Sequence, residues 1–222
     1  MIHGYATPAQ QDVDVILADD HTMVRDALAR VLEASGSVRV LAQASDGSSV
    51  LAALTNTRPD VLILDYTMPG LDTPSVIEQA LRTQPGLKIL VLTVHENIHY
   101  AVRVLESGAH GYVIKAAAVE ELVTAIHAVH RGETYVSAQI ASRVLGYMRN
   151  PRRERIGLQA LTTREFDLLR MLASGHGLRV CAEQMRVTTS TASTYRARVL
   201  RKLNLSSTAD LIRFAIENGV TD

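Results

Sequence analysis

Over the first 131 residues of this 222-residue chain, short aliphatic runs alternate with stretches of helical spacing, and that alternation limits the folds open to it. The runs are Val13–Ala18, Val38–Ala42, Val61–Leu64, Ile89–Leu92 and Tyr112–Ile114. Between and after them lie Thr22–Ala34, Ser48–Leu54, Ser75–Leu81, Ile98–Leu105 and Val119–Val129, each with an apolar stripe at helical period. Strands alternating with helices of this length read as βα units around a parallel sheet. Runs unbroken by polar residues belong to strands covered on both faces. The expectation is a doubly wound, five-stranded α/β domain over residues 13–131, with Gly36, Gly86 and Gly108 as left-handed caps where helices end.

Residues 132–158 read as a linker. Val136–Met148 has helical character, but Arg149-Asn-Pro-Arg-Arg-Glu-Arg155 is charged and broken by proline. From Leu161 the pattern is helical throughout, which predicts an all-α domain of four helices over residues 159–222. Thr162-x-x-Glu165 is a capping box, with Phe166, Leu169, Leu172 and Ala173 as the stripe behind it. Ser174-Gly175 stops that helix. A short helix, Arg179–Met185, a turn at Arg186–Thr189 and a longer helix, Thr191–Leu203, follow. Asn204–Ser207 ends the third helix, and Ala209–Asn218 is the fourth.

Composition matters here for what it excludes. A single cysteine, Cys181, rules out a disulfide framework or a thiolate metal cluster and fits a reducing cytosol. The longest aliphatic runs fall far short of a membrane span, and Met1 to Asp12 lacks the regions of an export signal. The expected location is cytoplasmic. The net charge of zero hides an asymmetry: residues 1–131 hold 9 Lys/Arg against 15 Asp/Glu, and residues 159–222 hold 9 against 6. An acidic first part and a basic tail point to different partners.

The polar residues that interrupt the strand pattern all fall at strand ends. Asp19 and Asp20 follow the first strand, Asp65 ends the third, Thr93 the fourth and Lys115 the fifth. In an open parallel sheet those ends form one rim, where ligands bind. One such carboxylate is most often a turn residue; five polar groups in this order make a pocket. An all-oxygen cluster suits Mg²⁺ better than zinc, but a metal alone leaves Lys115 and Thr93 unexplained. Phosphoryl transfer accounts for all five: Asp65 attacks phosphorus, Mg²⁺ and Lys115 neutralise the transferred oxygens, and Thr93 Oγ1 donates a hydrogen bond to one of them. His21 and His95 are not needed by that chemistry and read as structural.

These stretches, Ala18-Asp-Asp-His21, Leu64-Asp-Tyr-Thr-Met-Pro-Gly70, Val91-Leu-Thr-Val-His95 and Gly111-Tyr-Val-Ile-Lys115, resemble the flavodoxin-like receiver domain of two-component response regulators. The resemblance implies that Asp65 is the phosphoacceptor. It implies that Asp20 ligates Mg²⁺ directly, Asp19 supports it through water and Thr67 lends its backbone carbonyl, with Thr93 and Tyr112 as a switch pair. Two positions depart from the common pattern. Thr73 with Pro74 stands where glycine is frequent, and reads as a helix N-cap with proline at the first helical position. Ala116 follows Lys115 where proline is common, and leaves the isomer of that bond open.

In the tail, a short helix, a tight turn and a helix without acidic residues form a helix-turn-helix pattern. From Arg186 to Leu203 there are five cations, Arg186, Arg196, Arg198, Arg201 and Lys202, and no carboxylate. Phosphate neutralisation requires such an excess. Ala192, Tyr195, Val199 and Leu203 form the inward stripe, which leaves Ser193, Thr194, Ala197, Arg198 and Arg201 to face a groove. Arg196, near the edge of the stripe, is placed to snorkel toward phosphate. Leu161-Thr-Thr-Arg-Glu165, Ala173-Ser-Gly175, Ala182, Thr191, Lys202-Leu203 and Asp210-Leu211 resemble the LuxR/NarL-type output domain. The family's frequent base-contacting lysine is Ser193 here, which makes Arg198 the candidate for a base edge. The fourth helix is a core cover or a dimer face, and the resemblance favours the dimer.

Together these readings describe a DNA-binding transcription factor controlled by phosphorylation, not an enzyme. The expected partners are a sensor histidine kinase, double-stranded promoter DNA and a second copy of the chain, with RNA polymerase a further open contact and no membrane. The added phosphoryl charge is expected to draw Thr93 inward, let Tyr112 follow and release or pair the output domains. Two alternatives differ in class. One is a phosphorylation-independent regulator that uses its first domain for protein contacts, and the other is an Mg²⁺-dependent phosphatase, for which no general acid is present.

Overall fold

A computed structural model describes residues 12–69, 71–94, 96, 98–116, 119–149 and 158–220. The chain divides into two compact units, Met1–Val94 with Val104–Ser137, and His95–Arg103 with Ala138–Asp222.

The first unit is built on a parallel sheet. Its strands are β1 (Val13–Ala18), β2 (Val38–Ala44), β3 (Val61–Asp65), β4 (Lys88–Thr93), β5 (Gly111–Ile114) and β6 (Tyr135–Val136), in the order β2-β1-β3-β4-β5-β6. Every pairing is parallel. All five residues of β3 are buried, as a central strand covered on both faces requires. Alternate residues Val15, Leu17, Ile63, Leu90 and Val113 face one core. Ala29 and Leu32 of α1 (Thr22–Ala34) and Leu122, Ala125, Ile126 and Val129 of α5 (Val119–His130) close it. Each Val, Leu or Ile side chain among them contributes about 1.5–3 kcal/mol when fully buried. The other helices of this unit are α2 (Gly47–Asn56) and α3 (Thr73–Thr83), and α4 (Ile98–Glu106), between β4 and β5 in sequence, has its residues to Arg103 in the second unit.

Three local expectations are corrected. The sheet has six strands, because Tyr135 and Val136 of the expected linker pair with Gly111 and Tyr112. Buried Ser137 fastens this edge: its Oγ accepts the Ile114 N–H at 3.2 Å and donates to Glu121 Oε1 at 2.6 Å. The N-cap of α3 is Asp72, not Thr73, whose hydroxyl turns inward and donates to the Tyr66 carbonyl at 2.5 Å. Gly36 and Gly108 have φ of +69° and +103°, but Gly86 is not left-handed, since α3 ends in extended geometry at Gln84. The Lys115–Ala116 bond is trans, as are the peptide bonds of all described residues.

Within the segment expected as a linker, α6 (Ala138–Arg149) buries Ile140 and Val144. The proline-broken run beyond Arg149 lies outside the described residues. A single 3₁₀ turn, Leu158–Ala160, precedes the four expected helices, α7 (Thr163–Ala173), α8 (Leu178–Gln184), α9 (Thr189–Lys202) and α10 (Thr208–Glu217). The capping box forms as read: Thr162 Oγ1 accepts the Glu165 N–H, and Glu165 Oε2 accepts the Thr162 N–H at 2.8 Å. Helix α9 starts two residues earlier than expected because Thr188 caps it, accepting the Thr191 N–H at 3.1 Å. Arg186 and Asn204, both at φ +54°, turn the chain before and after that helix. Phe166, Leu169, Ala182, Ala192, Val199 and Leu211 form the core. No helix of the described residues is long and apolar enough to cross a membrane.

Candidate functional site

The carboxyl ends of β1, β3, β4 and β5 bring the five separated polar positions onto one rim. Lys115 lies at its centre, with Nζ 2.7 Å from Asp19 Oδ2 and 2.9 Å from Asp65 Oδ2. Its position follows from the sheet, since the Lys115 N–H donates to the Thr93 carbonyl in the β4–β5 pairing. Asp19 and Asp65 are buried at 1% and 4% exposure. The Asp19 Oδ1 atom accepts the His21 N–H at 2.8 Å, and Asp65 Oδ1 accepts the Thr67 N–H at 3.4 Å. Thr93 is fully buried at the end of β4.

Electrostatics at this rim are set by burial. Desolvation raises the Asp65 pKa to about 6, and the neighbouring Asp19 charge acts in the same direction. The Lys115 ammonium and the Thr67 N–H oppose that rise, so Asp65 is mostly ionised at neutral pH and able to act as a nucleophile. Burial alone would lower the Lys115 pKa, but the two carboxylates outweigh it and hold the amine charged. Tyr112 is fully buried and its phenol is pushed far up by desolvation. Its hydroxyl hydrogen-bonds Thr93, which joins the two residues expected to form the switch pair.

Three carboxylates against one ammonium leave two negative charges on the rim, and Asp20 Oδ1 is buried without a hydrogen bond from any described residue. Asp19, Asp20, His21 and Asp65 offer ligand atoms all within 4.8 Å of one another. That donor set fits a divalent cation. His95 lies outside the described residues. His21, read as structural from the sequence, stands with Nδ1 2.8 Å from Asp20 Oδ1; its adjacency to the Asp pair was the available signal.

The receiver domain of response regulators matches residues 15–127, and the LuxR family of bacterial regulatory proteins matches residues 159–215. Response regulator GacA of Pseudomonas aeruginosa is 32% identical over 210 residues, covering 95% of this chain and 98% of its own. The chain belongs to the response regulator family. Response regulator UvrY of Escherichia coli K12 is 30% identical over 94% of this regulator and 95% of its own chain. The structure of RcsB from Salmonella enterica serovar Typhimurium, bound to a promoter in the presence of the phosphomimetic BeF₃⁻, is also similar. It shares 28% identity over 92% of this chain and 98% of that one, at a TM-score of 0.59. This response regulator thus joins a receiver domain to a LuxR-type DNA-binding domain.

In the DNA-binding domain, the outward face of α9 agrees with the wheel drawn from sequence. Thr194, Ala197, Arg198 and Arg201 are exposed, Ser193 and Arg196 are half-buried, and Ala192 and Val199 are buried. Arg196, Arg198 and Arg201 form no ion pair with a described carboxylate. Lys202 differs: its Nζ lies 2.6 Å from Glu165 Oε2, and Glu165 is buried. The sequence grouped Lys202 with the DNA-facing cations; its ammonium is engaged within the helical domain.

Proposed function

We propose that this response regulator accepts a phosphoryl group on Asp65 from a sensor histidine kinase and thereby controls binding of α9 to promoter DNA. The observation that carries the reading is the Lys115 ammonium held between Asp19 and Asp65, at 2.7 and 2.9 Å. A lysine so placed neutralises an oxygen of a phosphoryl group carried on Asp65.

In the reaction, an Asp65 carboxylate oxygen forms the new O–P bond while the P–N bond of a phosphohistidine breaks. The electron pair leaves on the imidazole nitrogen, which takes up a proton. Asp20, Asp65 and the Thr67 carbonyl would hold Mg²⁺, with Asp19 supporting it through water. Bound there, Mg²⁺ supplies charge neutralisation on the phosphoryl oxygens. Lys115, 2.9 Å from Asp65 Oδ2, would do the same, and Thr93 would exchange its bond with Tyr112 for one to a phosphoryl oxygen. The added charge of about −1.5 to −2 changes the partners of the Thr93–Tyr112 pair. A full shift from 1:99 to 99:1 between two output states needs about 5.5 kcal/mol, shared among phosphoryl, dimer and DNA contacts.

Ser193, Thr194, Ala197, Arg198 and Arg201 form the groove-facing surface, with Arg196 directed to phosphate and Lys202 at the helix end. A homodimer, a cytoplasmic location and the absence of metabolic catalysis complete the proposal.

The test is incubation with acetyl phosphate, with and without Mg²⁺, followed by selection of bound DNA at two salt concentrations. The expected result is an acid-labile, Mg²⁺-dependent label that Asp65→Asn abolishes, and tighter DNA binding by the labelled protein. Unchanged DNA binding after full labelling would overturn the control mechanism.

A further inference from the structure

We propose that His21 is a direct metal ligand at the acidic rim, and that its imidazole makes the site select divalent first-row transition ions of octahedral habit over Mg²⁺. The inference rests on the metal site read above and adds a fourth protein side chain to it.

The geometry around Asp20 carries it. His21 Nδ1 stands 2.8 Å from Asp20 Oδ1, a distance short enough for a hydrogen bond, yet that oxygen accepts none from the described residues. Two heteroatoms that approach this closely without bonding each other direct their lone pairs elsewhere. An ion shared by the two, with bonds of about 2.1 Å to each, would see this 2.8 Å pair at an angle of about 84°. That angle is near the right angle between neighbouring ligands of an octahedron. A ring nitrogen aimed at that ion would point roughly 50° off the line to the Asp20 oxygen, too bent for a hydrogen bond. A shared ion accounts for both the missing bond and the short distance.

Asp19 Oδ1 spends one lone pair on the His21 N–H and keeps a second for a water on the ion. The imidazole is half exposed, at 55%, so it can adjust to the ion without disturbing the core. Coordination through Nδ1 requires a lone pair there, with the ring proton on Nε2. Carboxylate and carbonyl oxygens alone suit Mg²⁺, whereas an added imidazole raises affinity for Ni²⁺ and its neighbours far more than for Mg²⁺. The consequence is competition: a trace transition ion displaces Mg²⁺ from the phosphoacceptor rim.

The experiment uses the full, tag-free chain. Ni²⁺ and Mg²⁺ are titrated calorimetrically into wild type, His21→Ala and Asp20→Asn, and Mn²⁺-loaded samples are examined by electron spin echo envelope modulation. The proposal expects His21→Ala to weaken Ni²⁺ at least tenfold and Mg²⁺ less than twofold. It also expects a directly bonded ¹⁴N modulation in wild type that the variant lacks. If Asp20→Asn weakens both ions while His21→Ala weakens neither and no ¹⁴N signal appears, His21 is no ligand and the metal site stands. If Asp20→Asn leaves both ions unaffected, the metal site itself is lost and this inference with it.

Discussion

The Lys202 ammonium at the end of α9 lies 2.6 Å from the Glu165 carboxylate at the start of α7, across 37 positions of sequence. Glu165 is 2% exposed, so the pair ties α9 to the domain core. Burial works against the charged carboxylate, but Lys202 and the Thr162 N–H outweigh it and lower the Glu165 pKa. Glu165→Gln and Lys202→Met should each destabilise the domain by about 2 kcal/mol, with the double variant losing less than the sum. The sign with pH follows from the lowered value. The pair's contribution is present above the unfolded carboxylate range and is lost as pH falls through the depressed folded value. Urea denaturation of all four proteins at pH 7 and in acid measures both effects; equal losses at the two pH values would refute the assignment.

Asp65 has the opposite sign. Burial lifts its pKa to about 6, so its neutral form is favoured in the folded protein. That stabilisation is complete below the unfolded pKa and is lost as pH rises through about 6. In chelator, Asp65→Asn should therefore raise stability at pH 8 by about 1–2 kcal/mol, a figure reduced from the full shift because Lys115 loses one partner. The gain should vanish below the unfolded carboxylate range. Adding Mg²⁺ should stabilise wild type and leave the variant unmoved. Thermal melts at the two pH values, with and without Mg²⁺, test this.

The parts legible in the sequence are those fixed by short-range rules. Five aliphatic runs gave five strands because parallel β-structure buries both faces, and polar residues at their ends marked the rim. What escaped depends on distant partners. β6 is only Tyr135 and Val136, too short to show a period, and exists because Ser137 reaches Ile114 across the sheet. Thr73 has the chemistry of an N-cap, but the Tyr66 carbonyl claims its hydroxyl and the cap moves to Asp72. Charge counting puts Lys202 with the cations available to phosphate because it carries no information about Glu165. The Thr93–Tyr112 bond likewise depends on how β4 and β5 pair, and not on either residue's neighbours.

Arg198 and Arg201 are exposed on α9 and form no ion pair with a described carboxylate, so they are available for a polyanion. Each Arg→Ala change should lower the slope of log K against log salt by about 0.9 where the guanidinium contacts phosphate. For Arg198, proposed to face the groove, a loss of about 1–3 kcal/mol on the selected site, with relaxed preference at one base, is the signature of a base-edge contact. Binding isotherms on the selected site and on a scrambled duplex, at several salt concentrations, separate the two roles. Equal loss on both duplexes would assign Arg198 to phosphate.

Ser137 offers a test of how the sheet's last strand is held. It is fully buried, and its hydroxyl receives the Ile114 N–H while giving its own proton to Glu121. Ser137→Ala leaves an amide on β5 without an acceptor in a site closed to water, which costs about 1–3 kcal/mol. Ile114 precedes Lys115, whose N–H donates to the Thr93 carbonyl, so loosening β5 reaches the rim through two consecutive residues. Hydrogen exchange should quicken at Ile114 and along Tyr135–Val136 while β1 and β3 keep their protection. Labelling of Asp65 by acetyl phosphate should slow at the same time, because the Lys115 ammonium is positioned by the strand that Ser137 secures. Faster exchange with unchanged labelling would show that Lys115 holds its place without the edge strand.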